Sequence, residues 1–315
     1  MDWAQLWEIF SKPDNIPIAA LLFLVPFFYW YGLRQAFATD KLIGRLEADK
    51  TLAKEHHRKI EPFREGWDAK LHVWPYLLRI ELLAAVIVTV LLMVWSIALN
   101  APLEEPANPN LTMNPSKAPW YFLGLQEMLV YFDPWIAGVV MPTLIIMGLM
   151  AIPYADLNPL GNGYYTFKQR KFAILAFSFG FVALWVSMII IGTFIRGPGW
   201  MWFWPGATWD HHRLVFETNI DLHEFLPEFL GITSQPLIGI VGALAVGIYF
   251  VVFGWICHKI LLWSEFNRKI YERMTLTHYV IYQTFMLTMI ALPVKMALRL
   301  IFRVKYVLVT PWFNI

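Results

Sequence analysis

The sequence predicts an all-α integral membrane protein with about six transmembrane helices. Of its 315 residues, 58% are hydrophobic and only 15% are charged, and the mean hydropathy is +0.51. Soluble domains carry about 25% charged residues, so this composition is typical of a chain whose surface faces lipid. The apolar runs approach the roughly 20 residues that cross a bilayer as a helix, and they lack the two-residue alternation of strands.

Six apolar runs are predicted to cross the membrane, because each is bounded by Trp, Tyr, Pro or charged residues where a headgroup boundary would fall. These runs are residues 16–33, 79–99, 135–153, 172–195, 236–257 and 278–294. The first run is expected to be retained, since the acidic tail before it lacks the basic start and the cleavage site of a secretory signal.

The sixth run leaves two alternatives open. Lys295, Arg299 and Arg303 are spaced by four and share one helix stripe. Residues 295–309 therefore form either an amphipathic interface helix after a re-entrant run or the exposed basic end of an ordinary crossing.

The distribution of Lys and Arg predicts the orientation, because basic connections resist translocation. Three connections, 34–77, 154–171 and 259–277, hold sixteen basic residues, whereas the N-terminal tail and the loops 100–134 and 196–235 hold four. The chain is therefore expected in the inner (cytoplasmic) membrane, with the basic connections in the cytoplasm and the N-terminus in the periplasm.

Histidine and cysteine usage argues against a redox centre ligated within this chain. No two of the eight histidines lie inside spans at matching depth, as a bis-His haem requires, and the single Cys257 excludes a Cys-ligated iron–sulfur cluster. The WDHHR run at 209–213 lacks an accompanying HExxH or Cys ligand, so no metal is expected there. Joint ligation by His258 and His278, which flank one short loop, stays open.

Two charges lie close to the start of the second run. Arg79 and Glu81 follow Trp74 and Pro75 near the predicted cytoplasmic boundary. They are expected either to anchor the helix in the headgroup region or to contact a quinone or a haem on that side.

The most distinctive stretch is EEPANPNLTMNPSKAPWYFLGLQE at 104–127, a Pro-rich polar loop that leads into an aromatic segment between two apolar runs. It resembles the segment of the cytochrome b family that carries the Pro-Glu-Trp-Tyr signature. The similarity extends over about residues 70–195, with WP at 74–75, IPY at 152–154 and NPL at 158–160. The central three helices thus resemble the C-terminal cytochrome b domain, which is a separate subunit IV in split forms.

The resemblance implies a membrane subunit of a bc-type quinol:cytochrome c oxidoreductase rather than an enzyme that acts alone. In that family this segment borders the quinol-oxidising pocket on the positive side of the membrane, and both b haems belong to the N-terminal domain. The implied cofactor is a quinone or quinol, with menaquinol among the candidates. The implied partners are a haem-bearing cytochrome b subunit, a Rieske iron–sulfur protein and a c-type cytochrome, surrounded by membrane lipid and without nucleic acid.

One departure from the family affects the chemistry, because Pro119 stands where the family has its glutamate. Quinol oxidation releases protons, so a carboxylate with a tunable pKa is needed near the pocket. Glu127 is predicted as the substitute proton acceptor, since it lies two helical turns after Trp120, although it could instead cap a helix or meet solvent. The predicted quinone-binding residues are Pro119, Trp120, Tyr121, Phe122, Gly124 and Gln126.

The predicted organisation has five parts. They are an N-terminal tail and helix (1–33), a cytoplasmic helical connection (34–70), the cytochrome b C-terminal-like domain (71–195), a periplasmic Trp-rich loop (196–235) and additional membrane helices with a basic C-terminal segment (236–315). The acidic Trp-rich loop is interpreted as a lipid-interface belt or as a docking surface for a basic cytochrome c or a Rieske domain.

Two other classes compete with the electron-transfer subunit. A non-catalytic scaffold of a larger redox complex is the main alternative, because the motif glutamate is missing. A secondary transporter is disfavoured, since the sequence shows few intramembrane charges and no internal repeat.

Overall fold

A computed structural model describes residues 3–49, 51–52, 73–101, 103, 106–158, 164–211, 218–225 and 234–315. Within these residues the fold is helical and contains no strand, which confirms the all-α prediction. Six helices are long and apolar enough to cross a membrane, and each coincides with one of the six predicted runs. The chain divides into two compact units, residues 2–112 with 161–171 and residues 113–160 with 172–315.

The first unit contains α1 (Trp3–Ser11), α2 (Ile16–Ala48) and α3 (Leu78–Ala98). Every residue of α3 is exposed, as expected for a helix that is covered by lipid or by another subunit. The two ranges of the first unit, 2–112 and 161–171, are joined by a hydrogen bond, in which the Lys168 backbone N–H donates to the Asp40 carboxylate at 3.1 Å.

Helix α2 extends well past the predicted span 16–33. Its 33 residues span about 50 Å, which exceeds the roughly 30 Å hydrocarbon core. Residues 34–48 continue the helix because they are rich in strong helix formers such as Leu, Ala, Arg and Lys. The predicted connection 34–70 thus begins as helix, and its residues 53–70 lie outside the described part of the chain.

The second unit holds the remaining elements. They are α4 (Leu123–Met128), α5 (Ile136–Ala155), α6 (Phe167–Ile195), α7 (Leu222–Phe225), α8 (Gln235–Leu262), α9 (Glu265–Tyr271) and α10 (Leu276–Phe302). Helix α6 belongs to this unit from residue 172 onward, and its first five residues belong to the first unit. Its core is a cluster of buried apolar side chains from α4, α5, α6, α10 and the turn after α4. The cluster comprises Met128, Tyr131, Phe132, Ile136, Ala137, Leu184, Met188 and Leu292.

Helix α10 decides between the two alternatives for the sixth run. It runs without interruption over 27 residues, about 40 Å, and ends at Phe302, after which Arg303 adopts the left-handed conformation (φ 60°). The structure therefore supports an ordinary full-length helix, and the alternative of an interface helix over 295–309 is wrong, because residues after 303 are not helical.

The basic stripe of α10 also differs from the prediction of an exposed end. Lys295 and Arg299 are only 5% and 7% exposed. After α10 the chain turns back, and Val304 forms a parallel bridge with Ile220. The Lys295 ammonium donates to the Lys305 carbonyl at 2.6 Å, so the returning backbone satisfies a buried cation that the sequence assigned to the surface.

Candidate functional site

The aromatic motif lies on a short, closed turn. After Pro119, residues Trp120–Phe122 form a single 3₁₀ turn that leads directly into α4. The Gln126 side chain binds back to the segment that precedes this turn and so closes the loop from Ser116 to Gln126. Its amide nitrogen donates to the Ser116 carbonyl, and its oxygen accepts from the Ala118 backbone N–H, both at 2.8 Å.

The loop before the turn is tied to the segment that follows α6. Asn114 accepts from the Gly199 backbone N–H at 2.6 Å, and its backbone carbonyl lies 2.7 Å from the His211 Nδ1 atom. The Lys117 ammonium donates to the Thr193 carbonyl at 2.8 Å and lies 4.9 Å from the centre of the Trp209 ring. The polar loop is therefore held in place at several points.

Three consecutive aromatic side chains, Trp120, Tyr121 and Phe122, form what we call the aromatic face. The ring centres of Trp120 and Tyr121 lie 5.7 Å apart, and those of Tyr121 and Phe122 lie 4.8 Å apart. Tyr121 and Phe122 are each 53% exposed, whereas Trp120 is half-buried. The described part of this chain thus leaves about half of the Tyr121 and Phe122 surface exposed on this turn.

Gly124 faces in another direction, towards α6. A Cβ atom at this position would lie 3.3 Å from both the Ile189 side chain and the Trp185 ring. The absence of a side chain thus allows α4 to pack closely against α6. This predicted quinone-binding position borders the protein interior.

Glu127 lies at the centre of a buried ionic cluster. Its side chain is fully buried, and that of Arg196 is only 3% exposed. The Arg196 Nε atom donates to Glu127 Oε2 at 3.0 Å, and its Nη2 atom donates to Oε1 at 2.7 Å. This two-point contact is the strongest arrangement available to a guanidinium and a carboxylate.

Two further groups complete the hydrogen bonding of this carboxylate. The Tyr131 hydroxyl donates to Glu127 Oε1 at 2.7 Å, and the Trp200 indole N–H donates to Oε2 at 3.1 Å. Arg196 in turn donates from Nη1 to the Trp200 carbonyl at 3.0 Å. Every strong donor around Glu127 therefore points at the ionised carboxylate.

The cluster shifts the titration of its members. Burial and the Glu127 charge raise the pKa of the Tyr131 hydroxyl well above its ordinary value. Burial by itself lowers the pKa of Arg196, but the hydrogen bonds and charge of Glu127 outweigh burial and raise it. Both groups consequently keep their protons.

These contacts are typical of an ion pair that joins two segments of the fold. The pair connects α4, directly after the aromatic face, to the residue that follows α6. The role of Glu127 as proton acceptor stays a prediction, and its observed surroundings favour a positioning role.

Sequence reasoning missed the partners of Glu127. Arg196, Tyr131 and Trp200 were not among the predicted site residues, although Arg196 is one of only four basic residues in the tail and the two long loops. A cation directly after an apolar span that lacks neighbouring acids was the available signal, because such a charge requires a partner. Nothing in the sequence indicated which carboxylate supplies it.

The other predicted charge positions lie outside this cluster. Arg79 and Glu81 occupy the first turns of α3 in the first unit, and both are exposed. His258 and His278 bind different groups, since the Tyr279 hydroxyl lies 3.2 Å from His258 and the Thr275 hydroxyl lies 2.6 Å from His278. Of the WDHHR run, His212 and Arg213 lie outside the described residues.

One group of potential metal ligands occurs in the described residues. Atoms of Asp221, His223 and Glu224 lie within 4.8 Å of one another. Both carboxylates already accept backbone hydrogen bonds, from Tyr306 N–H at 3.3 Å and from Asp221 N–H at 3.1 Å. We assign no metal to this group, because both carboxylates already bind backbone N–H groups.

The six apolar helices define a multi-pass membrane protein. Residues 106–200 match the family described as cytochrome b (C-terminal)/b6/petD. These residues include the aromatic face, α5 and α6. They also include all four members of the ionic cluster, which are Glu127, Tyr131, Arg196 and Trp200. Helix α3, one of the three helices in the resemblance, lies outside the matched residues.

No further relative supports or restricts this assignment. The chain has no match among curated proteins and none among solved structures.

Proposed function

We propose that this protein is a membrane subunit of a bc- or b6f-type electron-transfer complex and that its aromatic face forms one wall of a quinol-oxidation pocket. The observation that carries the proposal is an exposed aromatic surface on a closed turn inside the cytochrome b-type domain. A subunit of this kind acts only within its complex, as part of a quinol:cytochrome c oxidoreductase.

The exposure of the aromatic face supports a pocket that is shared between subunits. Tyr121 and Phe122 expose about half of their surface on a turn that Gln126 and the 114–117 loop hold in place. Aromatic rings supply a large apolar contact area at low conformational cost, which suits a flat quinone ring. The opposite wall would come from a haem-bearing cytochrome b subunit.

Quinol oxidation requires two electron acceptors and an exit for two protons. In the proposed complex the acceptors are a Rieske iron–sulfur protein and a b haem, both on partner subunits, and a c-type cytochrome follows. This chain would contribute orientation through the Tyr121 ring and hydroxyl. Gln126 uses one amide N–H on Ser116, so its second N–H is available to a quinone carbonyl.

Two roles for Glu127 lead to different chemistry. As a proton acceptor, Glu127 would have to exchange hydrogen bonds with Arg196 and Tyr131 for one with quinol. As a positioning residue, it would hold the turn against α6 while another base takes the proton. The dense donor set favours the positioning role.

Substitution of the aromatic face in the intact complex tests the pocket. We expect Tyr121→Ala and Phe122→Ala to lower the quinol-oxidation rate about tenfold each, the loss that corresponds to one aromatic contact. Phe250→Ala on α8 is the matched control, because Phe250 is 54% exposed and lies outside the matched domain. Unchanged rates for both aromatic-face variants would contradict the pocket.

The pH profile of the Glu127→Gln complex separates the two roles of Glu127. A proton acceptor produces a fall in rate at low pH that disappears when the carboxylate is removed. A positioning residue lowers the rate and the thermal stability together and leaves the shape of the profile unchanged.

A scaffold function is the second candidate, and two observations favour it. Pro119 replaces the glutamate of the family motif, and Glu127 is engaged in a buried ion pair. A scaffold would retain the haem-bearing and Rieske partners during purification, yet the aromatic-face variants would leave quinol oxidation unchanged.

A further inference from the structure

A cleft of ≈ 430 Å³ is lined in part by Gln126, Leu129 and Val130, which lie in and directly after α4. The loop before the turn contributes Asn114 and Ser116, and the segment after α6 contributes Trp200. The end of α10 and the returning chain contribute Arg299 and Lys305. Residues from four separate stretches of the second unit therefore converge on one concave surface.

The cleft is cationic. Arg299 and Lys305 both line it, and the described lining residues include no Asp or Glu. Arg299 is only 7% exposed, so its charge is held in a partly dehydrated position, where electrostatic attraction is stronger than in water. Within the described part of the chain, no carboxylate lies within 4 Å of the Lys305 ammonium, which instead lies 5.1 Å from the centre of the Tyr306 ring.

Neutral donors accompany the two cations. Ser116 lines the same cleft and supplies a hydroxyl, and Trp200 and Asn114 add polar groups to its wall. Arg299 donates from Nη1 to the Arg303 carbonyl at 3.5 Å, which holds its guanidinium at the end of α10. Two cations with neutral donors form the combination that recognises a phosphate group.

Apolar side chains border the cationic cleft. Leu129 lines it and is 41% exposed. Directly after Arg299, the residues Leu300, Ile301 and Phe302 complete α10 and are 48%, 70% and 49% exposed. Because α10 is a membrane-spanning helix, this end of it lies where the hydrocarbon meets the headgroups. A ligand that has both a phosphate and apolar chains matches both surfaces, whereas free phosphate would use only the first.

We propose that this cleft is a binding site for an anionic phospholipid. The phosphate lies against Arg299 and Lys305, and the acyl chains lie along the exposed end of α10. The cleft shares Gln126 with the proposed quinol pocket, but both cations lie outside the residues that match the cytochrome b-type domain, so a substitution at Lys305 tests the lipid site separately. A bound lipid would join the C-terminal segment to the loop that carries the aromatic face.

Lipid binding to the full chain in neutral detergent tests the site. The probes are phosphatidylglycerol, phosphatidylcholine and inorganic phosphate, and the readouts are native mass spectrometry and the shift of the unfolding temperature. We expect phosphatidylglycerol to bind the wild type and to bind Lys305→Gln about tenfold more weakly, since one charge-assisted hydrogen bond is lost.

Lys305 is chosen because it is partly exposed, whereas substitution of the buried Arg299 would also disturb folding. Arg303→Gln is the matched control: Arg303 is an exposed cation of the same segment that does not line the cleft, and its variant is expected to bind as the wild type does. Three results would overturn the proposal. They are equal binding by Lys305→Gln, equal binding of phosphatidylcholine, and full stabilisation by inorganic phosphate alone, which would make the cleft a site for free phosphate.

Discussion

Arg196 binds both carboxylate oxygens of Glu127, although 69 residues separate the two in the chain. Glu127 belongs to the short helix that follows the aromatic face, and Arg196 follows directly after α6. The contact therefore fixes the distance between the motif and a membrane-spanning helix. It also places a neutral pair of charges, rather than a single charge, in the protein interior.

Removal of one member of this pair should destabilise the protein strongly. We expect Arg196→Ala to lower the free energy of unfolding by about 3–5 kcal/mol, because the Glu127 carboxylate would remain buried without its cation. Unfolding in detergent, followed by circular dichroism, measures this loss. The control is Lys269→Ala, since Lys269 pairs with Glu265 while 67% of its side chain is exposed, and we expect no measurable change there.

A side chain at position 124 should require Trp185 or Ile189 to shift. Gly124→Ala places a Cβ atom 3.3 Å from Trp185, and we expect a loss of about 1–3 kcal/mol through overpacking. Gly247→Ala on α8 is the matched control, because no described atom lies within 4 Å of a Cβ atom there. If both variants unfold at the wild-type temperature, α4 does not pack on α6 as described.

Tyr131 should make stability depend on alkaline pH. Its pKa is raised by burial and by Glu127, so the folded protein keeps the phenol proton after the unfolded chain has lost it near pH 10. Above that pH the unfolded state binds fewer protons than the folded state, and the free energy of unfolding falls as the pH rises.

The Tyr131→Phe variant should show a shallower fall in stability above about pH 10 than the wild type, because position 131 then has no phenol that loses its proton on unfolding. Tyr165→Phe removes a half-exposed hydroxyl in the first unit and serves as the control. An identical pH dependence for the wild type and Tyr131→Phe would refute the prediction.

The orientation predicted from charge can be tested with single cysteines. In a background without Cys257, we expect Leu111→Cys to react with an impermeant maleimide on intact cells. Trp263→Cys should react only after permeabilisation, because it lies in a basic connection. Both positions are exposed, so accessibility within the fold does not limit the labelling. The reverse pattern would invert the proposed topology.

Prediction from sequence succeeded where the information is local. The six spans follow from the length of each apolar run, and the observed helices begin within five residues of the predicted starts. The predicted ends were less accurate for α2 and α10, because helix formers continue both helices beyond the hydrocarbon core. The motif around Trp120 was also found locally, and the family match of residues 106–200 contains it.

The sequence by itself determined a helical membrane protein and located the aromatic motif, since hydropathy and a short residue pattern are properties of neighbouring residues. Only the tertiary structure decided that Glu127 is paired with Arg196, that Gly124 faces α6 and that the Lys295 and Arg299 stripe points inward. Each of these outcomes depends on contacts between residues that are distant in the chain. The residues next to a carboxylate or a cation in the sequence do not indicate which distant residue will pair with it in the fold.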